Sequence, residues 1–366
     1  MRLTRTRKAV AGVAALVAAA LWGAAGCDSA SAHHPAPSTK AAAAAAGGAP
    51  RPVPHGRGSR IPYDFNGDGH RDLVVDDLAK GDSHGDDAGI AVVYGTGSGR
   101  VLDPAARQVL TTRRDAAPVG GEPPATFDAE AACDLDGDGF GDLIVTPDPS
   151  YDGVGRPPVP LQVLFGGPGG LTGRAVVLGI PERARYGNDW PDHPVCGDFD
   201  GDGATDLAVT ATGGRVSFLR GPFARTGAPR AAGASLPGGG PVLAAPEPRA
   251  DANGDGYDDL VVSAPGARPR LLLGGPRGPV RPGGTYTYAR NTSVHPPALP
   301  AAGLPGGGPA PVTDVLQVAD LTGDKVPDVA VRVHRGETRD LVAVYAGAGT
   351  GVREKPLVQF TTAGWG

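Results

Sequence analysis

Short apolar runs punctuate this chain at regular intervals, and each follows a cluster of acidic residues. Leu73-Val74-Val75, Leu143-Ile144-Val145, Leu207-Ala208-Val209, Leu260-Val261-Val262 and Val329-Ala330-Val331 are apolar on consecutive positions. A strand open to water on one face alternates apolar and polar residues, so an unbroken run predicts a strand covered on both faces. A second apolar run follows each and ends at glycine: Ile90 to Gly95, Leu161 to Gly166, Val216 to Gly221, Leu271 to Gly274 and Leu341 to Gly347. A strand before the acidic cluster is expected at places such as Ala131 to Cys133 and Pro194 to Cys196. A weaker fourth strand is expected at Arg107 to Leu110, Arg174 to Val177, Tyr286 to Tyr288 and Leu357 to Phe360, with none placed in the third unit. Four short strands per unit, repeated radially, predict an all-β fold, a β-propeller of four-stranded blades. A β-solenoid is the rival, but its repeats are typically shorter.

The acidic clusters share one spacing. Side chains bearing oxygen stand at positions 1, 3, 5 and 9 of a nine-residue loop, with Gly at position 6. Loop one carries Asp64, Asn66, Asp68 and Asp72, and loop two carries Asp134, Asp136, Asp138 and Asp142. Loop three carries Asp198, Asp200, Asp202 and Asp206, and loop four Asp251, Asn253, Asp255 and Asp259. Loop five departs, with Asp320, Thr322, Asp324 and Asp328, and with Lys325 in the glycine position. Hard oxygen ligands at alternating positions suit a calcium ion, which takes six to eight oxygens in loose geometry. The backbone carbonyl at position 7, from His70, Phe140, Ala204 or Tyr257, would complete each set. An EF-hand needs a bidentate Glu at position 12, and position 12 here is Val75, Val145, Val209, Val262 and Val331. The loops therefore read as strand–loop–strand calcium sites: four competent, and a fifth weak or empty because Thr322 removes a charge and Lys325 adds a cation. The competing reading is ordinary turn chemistry, because Asp, Asn and Gly dominate turns in any case.

Loop starts at residues 64, 134, 198, 251 and 320 give intervals of about 70, 64, 53 and 69 residues, a period that signals a repeat architecture. The cycle of acidic loop, strand, Ala-Pro-Gly, strand and Gly-Gly resembles the FG-GAP repeat, also known as VCBS, the unit of the integrin α-subunit N-terminal propeller. The fourth unit is closest, with Ser263-Ala264-Pro265-Gly266 and then Leu271-Leu272-Leu273-Gly274-Gly275-Pro276; the second unit has Phe165-Gly166-Gly167-Pro168. The resemblance runs through residues 59–366 and implies a propeller, usually of seven blades. Five units are visible here, so the ring has five blades, lacks some, or hides two degenerate ones.

The N-terminus adds an export signal. Arg2, Arg5, Arg7 and Lys8 precede an apolar stretch from Ala9 to Leu21, short for a membrane span. Ala24-Ala25-Gly26-Cys27 resembles a bacterial lipoprotein signal, which implies lipidation at Cys27 and anchoring on the outer face of the cytoplasmic membrane. Cleavage after Ala32 with free secretion is the alternative. Residues 27–58, rich in Ala and Pro, read as a disordered linker. Cys133 and Cys196 lie at the ends of equivalent strands in neighbouring units, and an exported protein meets an oxidising compartment. A blade-to-blade disulfide is expected, with two buried thiols as the alternative.

A net charge of -5 offers no basic footprint for nucleic acid. No Gly-x-Ser-x-Gly, His-Glu-x-x-His or phosphate loop occurs. Gly81 to Asp87 is an acidic insertion, and Asn291-Thr292-Ser293 matches a glycosylation sequon. Tyr186, Trp190 and His193 cluster before loop three; such aromatics either pack between blades or stack on a sugar ring. The expected function is an exported, calcium-stabilised binding, adhesion or scaffold module for a protein or polysaccharide partner at the cell envelope, touching the membrane through its lipid alone. The alternative is a carbohydrate-active enzyme, a lyase or hydrolase working on the propeller face.

Overall fold

Each acidic loop opens into the central strands of one sheet. In a computed structural model, the structure describes residues 45–46, 49–78, 89–97, 101–148, 158–247, 249–288, 313–334, 340–348 and 351–365. The export signal, Cys27, the Gly81 to Asp87 insertion and the Asn291 sequon lie outside the described residues. All described residues fall within one compact unit, Ala45–Gly366.

Five antiparallel sheets follow one another in chain order and form the blades of a β-propeller. Blade one has Leu73–Leu78, Gly89–Gly95 and Leu102–Leu110. Blade two has Thr126–Cys133, Asp142–Asp148, Gln162–Leu164 and Val176–Val177. Blade three has Val195–Gly197, Asp206–Ala211, Arg215–Arg220 and Ala231–Ala232. Blade four has Val242–Ala244, Leu260–Ser263, Arg270–Leu273 and Arg281–Thr285. Blade five has Thr313–Ala319, Asp328–His334, Asp340–Tyr345 and Val358–Thr361, and Ala45–Ala46 pairs in parallel on its outer edge.

The unbroken apolar runs divide their side chains between two seams. Leu143 and Val145 pack toward blade one, while Ile144 packs toward blade three. Leu207 and Val209 face blade two, and Ala208 faces blade four. Leu73 and Val75 meet Ala330 and Val342 of blade five, while Val74 meets blade two. Each Val, Leu or Ile among them contributes about 1.5–3 kcal/mol when fully buried. The seam between blades five and one is capped by Trp365, stacked on Phe360 at 5.4 Å with the Arg107 guanidinium 4.7 Å from its centroid. Among the described residues, no apolar cluster spans blades four and five.

The outer edges differ most from the sequence expectation. Blade four's last strand is Arg281–Thr285, not Tyr286 to Tyr288. Its five residues are all exposed, so no apolar pattern could mark it. Tyr286 instead donates its N–H to the Pro269 carbonyl and rests edge-on against Tyr288. Blade three's fourth strand is only two alanines. Residues 51–58, read from sequence as linker, hydrogen-bond along the first blade: Arg51 N–H to the Ala105 carbonyl, Gly56 N–H to Asn66, and Gly58 N–H to Gly67. Cys133 and Cys196 are joined as a disulfide with Cα atoms 6.4 Å apart, linking the first strands of blades two and three.

Candidate metal centres in the acidic loops

All five loops share one backbone. Positions 4 and 6 adopt left-handed φ: 67° and 89° at Gly67 and Gly69, 74° and 83° at Gly201 and Gly203. Glycine takes these angles without a Cβ penalty. In loop five Lys325 takes φ 68°, and its N–H still reaches the Asp320 carboxylate at 2.9 Å. The conformation is therefore kept despite the side chain.

The position-1 carboxylate holds the loop closed. Asp134 accepts the N–H groups of Gly137 and Gly139 at 2.8 and 3.0 Å. Asp198 accepts those of Asp202 and Gly203 at 3.0 and 2.9 Å. The position-5 carboxylate accepts the N–H of position 7, as Asp138 does from Phe140 at 3.1 Å and Asp202 from Ala204 at 3.0 Å. Carboxylates bound to backbone N–H groups form strong, charge-assisted hydrogen bonds.

Position 9 has a role that the spacing argument missed. One oxygen of Asp72, Asp142, Asp206, Asp259 and Asp328 accepts the N–H of Gly95, Gly166, Gly221, Gly274 and Gly347, each at 2.9 Å. These are the glycines that end the third strands. A Cβ there would lie 2.5, 2.2, 2.0, 2.3 and 2.3 Å from the carbonyl oxygen of position 8, in the same order. The second oxygen accepts the position-2 N–H in four loops, from Phe65, Leu135, Ala252 and Leu321 at 2.8 to 3.0 Å. Position 9 thus buckles the loop to its own sheet. The sequence signal was present: every third strand ends in glycine.

Position 2 was also missed. Phe65, Leu135, Phe199 and Leu321 are buried and enter the seam with the next blade. Loop four has Ala252 there, and it is exposed. Backbone bonds reinforce these anchors: Gly141 N–H meets the Asp64 carbonyl at 2.7 Å, and Asp258 N–H meets that of Asp198 at 3.0 Å.

Two loops gather three carboxylates each. Ligand oxygens of Asp134, Asp136 and Asp142 lie within 4.8 Å of one another, as do those of Asp198, Asp200 and Asp206. Position 5 stands outside these groups, because Asp138 and Asp202 pair outward with Arg225 and Arg230. Arg225 Nε also holds Asp136 at 2.8 Å, Arg220 Nε holds Asp200 at 3.1 Å, and Arg281 holds Asp255 at 2.9 Å. Arg225 comes from blade three to a blade-two loop, so it ties the two. Such outer partners orient a ligand carboxylate. Loops one, four and five place Asn66, Asn253 and Thr322 at position 3. The two amides donate to Asp68 and Asp255, both at 3.1 Å.

Burial raises the position-9 carboxyl in loops one to four. Burial pushes the Asp142 carboxyl up to about 8, even though the Gly166 and Leu135 N–H groups favour its charged form. Burial likewise pushes Asp206 up to about 7, aided by the charges of Asp200 and Asp202. Asp72 is raised well above the usual carboxylate range, again chiefly by burial. In loop three, Asp200 Oδ1 and Asp206 Oδ2 are buried without a hydrogen-bond partner. A buried carboxylate oxygen without a partner is costly, and these two share one ring with Asp198. A divalent ion fits that donor set.

Residues 250–286 match the family model described as FG-GAP repeat. The match begins one residue before loop four and takes in the last three strands of blade four. No curated protein matches the chain.

Proposed function

We propose that the chain is an exported, calcium-stabilised propeller that works as a binding or scaffold module for a protein or polysaccharide partner at the cell envelope. The observation that carries the calcium reading is the loop-three ring, where buried Asp200 Oδ1 and Asp206 Oδ2 have no partner beside Asp198. Calcium at 2.3–2.6 Å from hard oxygens would satisfy both. In loops one to four the ligands would be the side chains at positions 1, 3 and 9, the position-5 side chain once it swings inward, and the carbonyls of His70, Phe140, Ala204 and Tyr257. Loop five binds weakly, because Thr322 removes a charge and Lys325 adds one.

Export and surface anchoring are supported by the basic and apolar N-terminal pattern, by Cys27 after Ala24-Ala25-Gly26, and by the Cys133–Cys196 disulfide. Two experiments test the two parts. Calorimetric titration of the chelated protein with calcium is expected to give heat and raise the melting temperature. If neither happens, the metal reading is lost. Fractionation of the producing cell is expected to find the protein with membranes and the Cys27→Ser variant in the medium; equal distributions would remove the lipid anchor.

A further inference from the structure

The end of blade three remote from its metal loop carries a cleft that the reading above does not use. It has a volume of about 320 Å³. Its walls are the segment Asn188 to Asp192, the turn Thr212 to Gly214 between the two middle strands, and Gly240-Pro241 entering blade four. That volume lies at the lower end of the range for small-molecule sites.

Trp190 lines the cleft and is 41% exposed, while Trp365 is 5% exposed. Tyr186, 55% exposed, stands next to the same turn: a Cβ on Gly213 would lie 3.9 Å from its ring. The Arg215 guanidinium covers the Tyr186 ring at 5.0 Å from its centroid. A large aromatic surface left in water marks an interaction site when it clusters.

The walls are held rigidly. Asp192 N–H donates to Thr210 Oγ1 at 2.9 Å, and Thr210 N–H returns to the Asp192 carbonyl at 3.1 Å. Asn188 Nδ2 donates to the Thr210 carbonyl at 2.9 Å, and Asn188 Oδ1 accepts Trp190 N–H at 3.1 Å. Two non-glycine residues with left-handed backbone bracket the segment, Tyr186 and His193, both at φ 52°. Strain of this kind persists where the surroundings over-determine it, and it concentrates at binding sites. A site fixed beforehand loses less entropy on binding.

We propose that this cleft binds a neutral hexopyranose unit of a glycan. A pyranose ring has one face of C–H groups, which an indole covers, and a rim of hydroxyls, which donate and accept. Trp190 supplies the platform; the Asp192 carboxylate and the Thr212 hydroxyl supply polar partners. Among the described residues, no basic side chain lines the cleft, and the Asp192 carboxylate, which accepts the His193 N–H at 2.8 Å and has His193 Nδ1 3.4 Å away, still disfavours a carboxylated or sulfated sugar over a neutral one. The proposal rests on the reading of the chain as a binding module. It is independent of the metal reading, because Asp206–Ala211 runs six residues from loop to cleft, roughly 20 Å at 3.3 Å per residue.

The test uses the full protein saturated with calcium. Its tryptophan emission is followed while glucan, mannan and galactan oligosaccharides are added, with polygalacturonate fragments as the anionic control. A saturable change with at least one neutral oligosaccharide and none with the control is expected. Trp190→Ala should weaken binding roughly tenfold or more by calorimetry, Trp190→Phe should retain part of it, and neither should shift the melting temperature. Asp192→Asn should weaken binding less. Absence of binding by every neutral oligosaccharide overturns the proposal, as does unchanged affinity in Trp190→Ala. Selection of peptides by Trp190 in place of sugars also overturns it. Failure of calcium to stabilise the protein would sink the metal reading and leave this titration intact.

Discussion

The two ends of the blades solve the same problem in different ways. At the loop end, carboxylates at fixed positions gather backbone N–H groups, and the arrangement repeats five times. At the far end, acids are fewer and irregular. Asp76, Asp314 and Asp340 surround the buried Arg332 guanidinium at 3.6 to 3.9 Å, and Asp128 lies among Asp77, Asp76, Asp148 and Glu130. The difference shows where stability and recognition are divided. A motif that repeats the same backbone holds blades, whereas the end that varies from blade to blade is free to acquire a cleft such as the one beside Trp190.

Chelation probes this division most strongly. Each site at 100-fold saturation adds about 2.7 kcal/mol, so EDTA should lower the melting temperature by well over 10 °C, with recovery on adding calcium. Differential scanning calorimetry reads this directly; a shift of only a degree or two would make the loop end no more important than the far end. Reduction of Cys133–Cys196, which closes a separation of 63 residues, should cost about 2–4 kcal/mol, seen as a lower denaturation midpoint in urea with reductant.

Within the loop end, three variants separate the buckle from the cage and rank the cages. Asp328→Ala leaves the N–H groups of Leu321 and Gly347 without their acceptor. It should therefore destabilise by about 2–4 kcal/mol whether or not calcium is present. Asp200→Ala should cost about 2 kcal/mol in calcium and far less in EDTA, while Asp324→Ala should cost under about 1 kcal/mol in both. Equal calcium dependence for Asp200→Ala and Asp324→Ala would erase the ranking of loops three and five.

The far end yields the smallest effect, and it is set by pH. Burial, followed by the charges of Asp77 and Asp76, pushes Asp128 up to about 7. Its folded pKa exceeds the unfolded value near 4, so the folded state binds the proton more tightly. Asp128 therefore costs nothing at pH 4, and stability falls as pH rises through 7. Asp128→Asn should raise the melting temperature by a few degrees at pH 8 and leave it unchanged at pH 4. An unchanged pH profile would remove Asp128 from the account.

The central strands and all five loops were legible because burial on both faces and ligand spacing leave dense patterns in sequence. Edges leave none. Arg281–Thr285 is exposed at every residue and Ala231–Ala232 is two residues long, so neither carries a period. The first-blade strap was hidden for another reason. Residues 51–58 are held by backbone hydrogen bonds, which depend little on side-chain type, and their Pro-, Gly- and Arg-rich composition looked like linker. Inside the loops, spacing located position 9 but not its bond to the third-strand glycine, since that bond joins residues 15 to 24 apart.

The seam between blades five and one has a kinetic consequence. Arg332 of blade five donates to the Asp76 carbonyl across 256 residues of chain, and the apolar contacts of that seam span similar lengths. Long-range contacts of this order are slow to form. Until that seam closes, blade one keeps a bare apolar flank, and surface of that kind favours aggregation. Ions that rigidify the early loops would narrow the search for this last closure.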